Sequence, residues 1–148
     1  MISPERLRRQ PHCAGAPDAL LREVASISKE RSFAADEELF VEGNRATHLM
    51  FLESGEVEVR YELRGGKRVV VDTLVAGDTM AWSALLEPHI LTATGVARKP
   101  GVLIAIDGAK LLALCLDNPA WGYLMMTNVA ITLRDRLTAT RVQLAAAS

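Results

Sequence analysis

Apolar residues in the first part of the chain recur at the spacing of an α-helix. A helix is predicted to open at Pro17-Asp18, and its apolar face consists of Leu20, Leu21, Val24 and Ile27. Charged residues that lie off this face continue as far as Glu30. The preceding residues, 1–16, contain two prolines, one glycine and little periodicity. They are therefore predicted to form a loose N-terminal arm.

From Phe33 the pattern changes to an alternation of apolar and polar residues, which is typical of β-strands. Strands are predicted at residues 48–52, 56–61, 68–74, 91–97 and 102–106. Hairpin turns are predicted at Ser54-Gly55 and Gly65-Gly66. Short strands with tight turns predict a mainly β fold with flanking helices. We expect a double-stranded β-helix, or jelly-roll barrel, over about residues 33–106.

Two C-terminal helices are predicted over residues 109–146. Asp107 is placed to cap the first, and Asn118-Pro119 separates it from a longer helix. In that longer helix a heptad seam is formed by Met126, Ala130, Leu133, Leu137, Thr140 and Leu144. The seam could pack on the barrel or on the same helix of a second chain. Because a terminal helix has few partners left in its own chain, we favour a homodimer, with residues 17–148 as one domain.

Composition limits the classes of protein that remain. The chain has 148 residues, 49% of them apolar and 24% charged, which suits one domain with its own core. A net charge of −1 gives no general attraction to nucleic acid or membrane surfaces. No apolar run approaches the ~18–20 residues of a membrane span, and none follows the N-terminal arginines as in a signal peptide. The two cysteines, Cys13 and Cys115, form no disulfide framework. We expect a cytoplasmic protein.

The stretch from Val75 to Ala93 carries the candidate chemistry. It begins with a turn at Gly77-Asp78, continues with about one helical turn from Trp82 to Leu86, and is stopped by Pro88. A short helix that is entered from a tight turn directs several unpaired backbone N–H groups at one spot. Such an arrangement suits an anion, phosphate above all.

This stretch resembles the phosphate-binding cassette of the cyclic nucleotide-binding domain family, the sensor domain of proteins like the catabolite activator protein. The resemblance covers roughly residues 19–144. The matching pieces are Glu42-Gly43-Asn44, residues 49–52 and 54–57, Leu74 with Gly77-Asp78, and residues 136–140. The order of helix, β-roll and terminal helices matches as well. The resemblance implies a small-molecule-sensing regulatory domain.

The cassette departs from the family pattern at two charged positions. The family's Gly-Glu-Leu falls on Ala81-Trp82-Ser83, and its Arg-Ser/Thr-Ala falls on Leu91-Thr92-Ala93. The family's glutamate binds the ribose and its arginine binds the cyclic phosphate, so the resemblance implies that both contacts are lost here. The candidate ligand-binding residues are Ala81, Trp82, Ser83, Ala84, Leu91, Thr92, Ala93 and Thr140.

Several of these residues have two interpretations. Trp82 either fills the volume where ribose and phosphate would lie or forms a stacking wall for a flatter or more apolar ligand. Leu91 is expected to pack against Trp82, and Ser83 to supply a helix-start hydroxyl. Thr140 matches a threonine that reaches the base in the family, but it also lies on the seam, where a polar residue can set dimer register. We favour the register role.

Two function classes remain open. The first is a regulatory sensor with weak or altered ligand specificity, for which a cyclic nucleotide or another small anion is the candidate ligand. The second is a ligand-free dimeric interaction module with a degenerate pocket. Either could act on a regulatory protein partner. A polar, water-lined pocket beside Trp82 favours the sensor, and a pocket filled by side chains favours the module.

Catalysis and direct nucleic acid binding are not expected. A metal enzyme of the cupin type needs a His-x-His pair, and the three histidines, His12, His48 and His89, have no such spacing. His12 falls in the predicted loose arm, and the other two are expected at strand ends on the surface. No Gly-x-Ser-x-Gly nucleophile elbow is present. No recognition helix follows the long helix, which argues against a DNA-binding role.

Overall fold

Strands occupy the middle of the chain and helices occupy both ends. The structure, a computed structural model, describes residues 2–148. The helices are α1 (Pro4–Arg8), α2 (Asp18–Ser26), α3 (Gly108–Asp117) and α4 (Pro119–Ala147), with 3-10 turns at Pro11–Cys13 and Trp82–Ala84. The strands are β1 (Ser28–Phe33), β2 (Glu38–Phe40), β3 (His48–Glu62), β4 (Arg68–Leu74), β5 (Thr79–Met80) and β6 (Thr94–Asp107).

All the strands join one antiparallel sheet in the order β1-β6-β3-β4. Strand β2 adds to β6, and β5 adds to β3. The sheet curls around a core of fully buried side chains from the two long strands, among them Leu49, Phe51, Leu103, Ile104 and Ile106. The predicted fold class, a β-roll of the jelly-roll type with flanking helices, is confirmed.

The two long strands correct the prediction of short ones. The Ser54-Gly55 hairpin was wrong, because β3 runs through it to Glu62 with register shifts rather than a reversal. Gly55 has a φ of +94°, and the Ser54 hydroxyl accepts a hydrogen bond from the Val102 amide across the sheet. The strands predicted at 91–97 and 102–106 are likewise parts of a single strand, β6. The Gly65-Gly66 turn and the strand at 68–74 are confirmed.

The expectation of a loose N-terminal arm was wrong for the described residues 2–16. Ser3 caps α1, and the side chains of Ile2, Leu7, Gln10, His12 and Cys13 are buried. The Arg6 guanidinium pairs with the carboxylates of Glu53 and Glu30 and so ties α1 to the roll. Burial raises the pKa of the Cys13 thiol to about 12. The prolines of this segment interrupt the helical periodicity of its sequence, but they do not prevent burial of its apolar side chains. Met1 lies outside the described residues.

Helix α2 begins where it was predicted, but it ends at Ser26. Its buried face contains Leu20, Leu21, Val24 and Ala25. The Ser28 hydroxyl donates to the Val24 carbonyl, and β1 begins at Ser28. Lys29 and Glu30 therefore belong to a strand and not to the polar face of a helix. The charged residues of β1 lie on an edge strand, where alternation is hard to recognise.

The two C-terminal helices are confirmed. The Asp107 carboxylate caps α3 by accepting from the Lys110 amide at 3.0 Å. Only the first half of α4 is buried, through Trp121, Gly122, Met125 and Val129. The thiol of Cys115 is partly buried, and burial raises its pKa. Within residues 2–148, no helix has both the length and the apolar character of a membrane span.

Candidate functional site

The cassette, residues 75–93, consists of a turn, strand β5 and a short helical turn, followed by the segment that leads to β6. The Asp78 carboxylate accepts from the Val75 amide and closes the predicted turn, after which β5 pairs with β3. Ala81 then adopts the left-handed conformation, with φ 63° and ψ 42°. This is the position at which the family pattern has glycine, the residue that adopts such angles most readily. The predicted helix is a single 3-10 turn, Trp82–Ala84.

A cavity of about 530 Å³ lies between the cassette, the adjoining strands β3 and β4, and α4. Seven of the eight predicted site residues line it: Ala81, Trp82, Ser83, Leu91, Thr92, Ala93 and Thr140. Ala84 does not line it; its side chain is buried and its backbone oxygen lies against Gly108. Three seam residues, Leu133, Leu137 and Thr140, form part of the wall from α4. The structure therefore brings the cassette and the terminal helix together around one space.

Trp82 forms a fixed wall of this cavity. Its side chain is only 8% exposed, its ring centroid lies 5.4 Å from that of His12, and the Arg136 guanidinium carbon lies 5.7 Å from the ring centroid. The indole Nε1 is buried and has no hydrogen-bond partner in the described part of the chain. Because the cavity remains open beside the ring, the indole does not close the pocket.

Arg136 is a site residue that the sequence reasoning missed. Its Nη2 donates to the Thr79 carbonyl, its Nε lies 3.5 Å from the Asp72 carboxylate, and its side chain is 26% exposed. Burial lowers the pKa of Arg136, while the charges of Asp72 and Asp78 act in the opposite direction. The signal available was the spacing of Arg136 from the buried Val129 and Met125, which places it on the same stripe.

His12 is the second missed residue. The 3-10 turn at Pro11–Cys13 places its ring between β5 and α4, with Nδ1 3.2 Å from the Thr79 hydroxyl and Nε2 3.4 Å from the Thr132 hydroxyl. The ring also stacks on Phe51 at 6.0 Å. Burial lowers the pKa of His12, and the charge of Arg136 adds to this effect. Sequence periodicity gave no signal for this residue, because its contacts come from distant parts of the chain.

Four smaller expectations have mixed outcomes. Ser83 was expected to start the helix, but Ala81 occupies the cap position and no side chain caps the turn. Leu91 is buried and lines the cavity, as a packing residue would. The Thr140 hydroxyl donates to the Arg136 carbonyl within α4, and its roles in ligand contact or dimer register stay predictions. His89, expected at the surface, is half-buried, and its Nδ1 lies 3.0 Å from the Ser83 carbonyl oxygen.

The charges around the cavity are few. One guanidinium, that of Arg136, and two carboxylates, those of Asp72 and Glu87, line the cavity, and most of the remaining wall is apolar. The apolar wall residues include Phe40, Val59, Val71, Met80, Leu86, Pro88 and Ile90. In residues 2–148, no cluster of three or more His, Cys, Asp or Glu side chains could hold a metal ion. An apolar space with a few polar anchors is suited to bind a small organic molecule.

The sequence and the fold of this chain are similar to those of known proteins. The sequence model of the cyclic nucleotide-binding domain matches residues 30–118, more than half of the chain. The chain belongs to the cyclic nucleotide-binding domain family. A solved structure from Geobacter metallireducens GS-15, assigned to the cyclic nucleotide-binding proteins, is 36% identical with a TM-score of 0.81. The match covers 93% of this chain and 99% of that one.

Two further solved structures have the same fold. The N-terminal domain of a transcriptional regulator from Streptomyces coelicolor A3(2) is 25% identical, with a TM-score of 0.70 over 87% of this chain and 92% of that one. The catabolite activator protein of Thermus thermophilus shares the fold, with 24% identity and a TM-score of 0.74 over 92% of this chain and 62% of that one. A comparison with curated protein sequences found no significant match.

The charged group beside the cassette comes from another part of the chain. The resemblance places Trp82 and Leu91 at the positions of the family's glutamate and arginine, and this correspondence stays a prediction. The guanidinium near the cassette belongs to Arg136 on α4.

Proposed function

We propose that the chain is a ligand-sensing regulatory domain with altered specificity, whose ligand is a small and mainly apolar molecule. The observation that carries the proposal is the open cavity of about 530 Å³ beside Trp82, with walls from both the cassette and α4. Ligand pockets are typically spaces of this size, apolar with a few polar groups that fix orientation. The flat face of the indole offers a stacking surface for such a ligand.

The same residues argue against tight binding of an ordinary cyclic nucleotide. A hydrogen bond to a charged group contributes roughly 1.5–3 kcal/mol, and two such contacts are replaced by Trp82 and Leu91. Their combined loss corresponds to roughly 10²- to 10⁴-fold in affinity. Arg136 could contact the phosphate only by giving up interactions that it already makes. Its guanidinium donates to the Thr79 carbonyl and lies beside the Asp72 carboxylate.

A route from ligand to signal follows from the position of α4. Leu133, Arg136, Leu137 and Thr140 line the cavity from the second half of α4, where Leu133 and Leu137 stay partly exposed to solvent. A ligand that contacts them binds one position of the helix better than another. The ligand can therefore shift the equilibrium between these helix positions only by as much free energy as its affinities for the two positions differ.

The proposal is tested with N-phenyl-1-naphthylamine, a flat neutral fluorophore. We expect saturable binding to the wild type and at least a tenfold loss of affinity in Thr92→Trp, since a large side chain at this exposed wall position fills the space. Thr73→Trp is the matched control, because Thr73 is also an exposed threonine but does not line the cavity. Calorimetric titration with cyclic AMP and cyclic GMP should give no heat at micromolar concentrations.

The fluorophore result would contradict the proposal if the wild type did not bind it, or if both tryptophan variants bound it equally well. Micromolar binding of a cyclic nucleotide would contradict the altered specificity and leave the sensor role in place. Absence of any ligand would favour the second candidate, a dimeric interaction module that acts on a protein partner. The observation in favour of that candidate is the exposed apolar seam of α4, where Leu137 and Leu144 are 49% and 68% exposed.

A further inference from the structure

A second cavity, of about 490 Å³, lies next to the first. Phe40, Ala81 and Leu91 border both spaces, and the other lining residues of the second cavity are its own. Leu91 replaces the arginine of the family pattern, so an apolar side chain forms part of the wall between the two cavities. Nothing in the cassette resemblance assigns a ligand to this second space.

The floor of the second cavity is apolar and buried. Lys29 of β1, Ala105 of β6 and Met50 of β3 form one row across three paired strands. Met50 and Ala105 are buried, as is Leu39 of β2, which lines the same cavity. A floor of this kind can cover the apolar part of a small molecule.

The rim of the second cavity is basic. Three cations, Lys29, Arg31 and Arg45, line it together with a single carboxylate, that of Glu38. Arg31 is held by the Glu37 carboxylate and the Leu39 carbonyl. In contrast, Lys29 and Arg45 form no ion pair within residues 2–148. Burial lowers the pKa of His48, which also lines the cavity, and the nearby charge of Lys29 adds to the effect.

One alternative explanation is that charged side chains on an edge strand prevent two sheets from joining edge to edge, without binding a ligand. Strand β1 is an edge strand. That explanation covers Lys29 and Arg31. It does not cover Arg45, which comes from the segment between β2 and β3 and brings a further unpaired cation to the same space. Two elements therefore supply positive charge to one cavity with an apolar floor.

We propose that this second cavity binds a small organic acid, with its apolar body on the floor and its phosphate or carboxylate group between Lys29 and Arg45. Charge-assisted hydrogen bonds from both cations would hold the acidic group. The site is independent of the ligand of the first cavity, although the shared wall at Ala81 and Leu91 allows the occupancy of one to affect the other.

The test follows amide chemical shifts in ¹⁵N–¹H spectra during titration with phenyl phosphate, benzoate and the neutral analogue benzamide. We expect both acids to shift amides of β1 and of residues 44–48, and benzamide to bind about tenfold more weakly or worse. Lys29→Gln with Arg45→Gln should weaken the binding of both acids by about tenfold. Arg64→Gln with Lys67→Gln is the matched control, because it removes the same charges from exposed positions at the β3–β4 turn.

Three outcomes would overturn the proposal: no shifts at these amides in the wild type, equal binding of benzamide, or equal losses in the two double variants. Equal losses would indicate a general effect of net charge. The spectra themselves report whether each variant is folded, and all four substituted positions are exposed. Binding of N-phenyl-1-naphthylamine to the first cavity is measured on the same samples, so failure of one proposal is separable from failure of the other.

Discussion

At the scale of single residues, His12 connects three parts of the molecule. Its ring nitrogens lie close to the hydroxyls of Thr79 and Thr132, and its ring packs between Phe51 and Trp82. A protonated ring in this place would put a charge in a buried position near the guanidinium of Arg136. The folded protein therefore binds a proton at His12 less readily than the unfolded chain does.

This difference in proton binding predicts a loss of stability in acid. Because burial holds the pKa of His12 below its ordinary value of 6.5, the unfolded state takes up more protons as the pH falls below that value, and the free energy of unfolding decreases. We expect His12→Gln to lower stability at pH 7.5 by about 1–2 kcal/mol and to reduce the further loss between pH 7.5 and 5.5. Urea denaturation at the two pH values measures both effects.

A second histidine serves as the comparison. The pKa of His48 is also lowered by burial, so His48→Gln should remove a separate part of the acid sensitivity, and the double variant should remove both parts. If His12→Gln retained the whole loss of the wild type, the buried ring would not be the group responsible.

At the scale of secondary structure elements, the pairing of β3 with β6 is irregular around Ser54-Gly55. The Ser54-Gly55 segment of β3 lies opposite residues 99–102 of β6, and the register shifts three times between Leu52 and Val57. A Cβ atom added to Gly101 would lie 2.1 Å from the Ser54 carbonyl oxygen. Since that obstacle is backbone, the two strands could not keep their present separation.

Gly101→Ala is therefore expected to destabilise the domain by about 2–3 kcal/mol. Gly66→Ala is the control, because no atom lies within 4 Å of its added Cβ and only its φ of +81° is unfavourable. That strain should lower stability by about 1–2 kcal/mol at most. Equal effects of the two substitutions in urea denaturation would contradict the close strand contact.

These elements also explain how much the sequence could predict. The alternation around Val57 and Val59 identified a strand, and the cassette pattern identified the wall formed by Trp82 and Leu91. However, Ser54-Gly55 carries the same local turn signal as Gly65-Gly66, and only pairing with β6 distinguishes a bulge from a hairpin. His12 and Arg136 were missed for the same reason, since distant segments bring them to the site.

At the scale of the whole molecule, the second half of α4 leaves several apolar residues exposed. The buried stripe ends near Val129, and the seam residues that follow, Leu133, Leu137 and Leu144, are exposed. Met126, by contrast, packs partly against the core. The later part of the seam is thus free to pack on the same helix of a second chain, as proposed for the homodimer.

The dimer is tested with Leu137→Glu combined with Leu144→Glu. We expect the wild type to have the mass of a dimer and this variant that of a monomer in analytical ultracentrifugation, since two charges would be buried at the seam. Ile131→Glu with Val142→Glu is the matched control, because both residues are exposed apolar positions of α4, at 40% and 64%, that lie off the seam. A monomeric wild type, or dissociation in both variants, would contradict the seam.

The contact between His12 and Thr132 has a consequence for synthesis on the ribosome. The two residues are 120 positions apart, so the N-terminal segment emerges long before the helix that covers it. Until then the side chains of Ile2, Leu7 and Cys13 lack part of the contacts that bury them in the folded domain. Strand β3 likewise lacks its long partner until β6 has been synthesised. Domains that depend on such long-range pairing fold slowly and expose apolar surface on the way. The nascent chain should therefore remain a substrate for chaperones until α4 has left the exit tunnel.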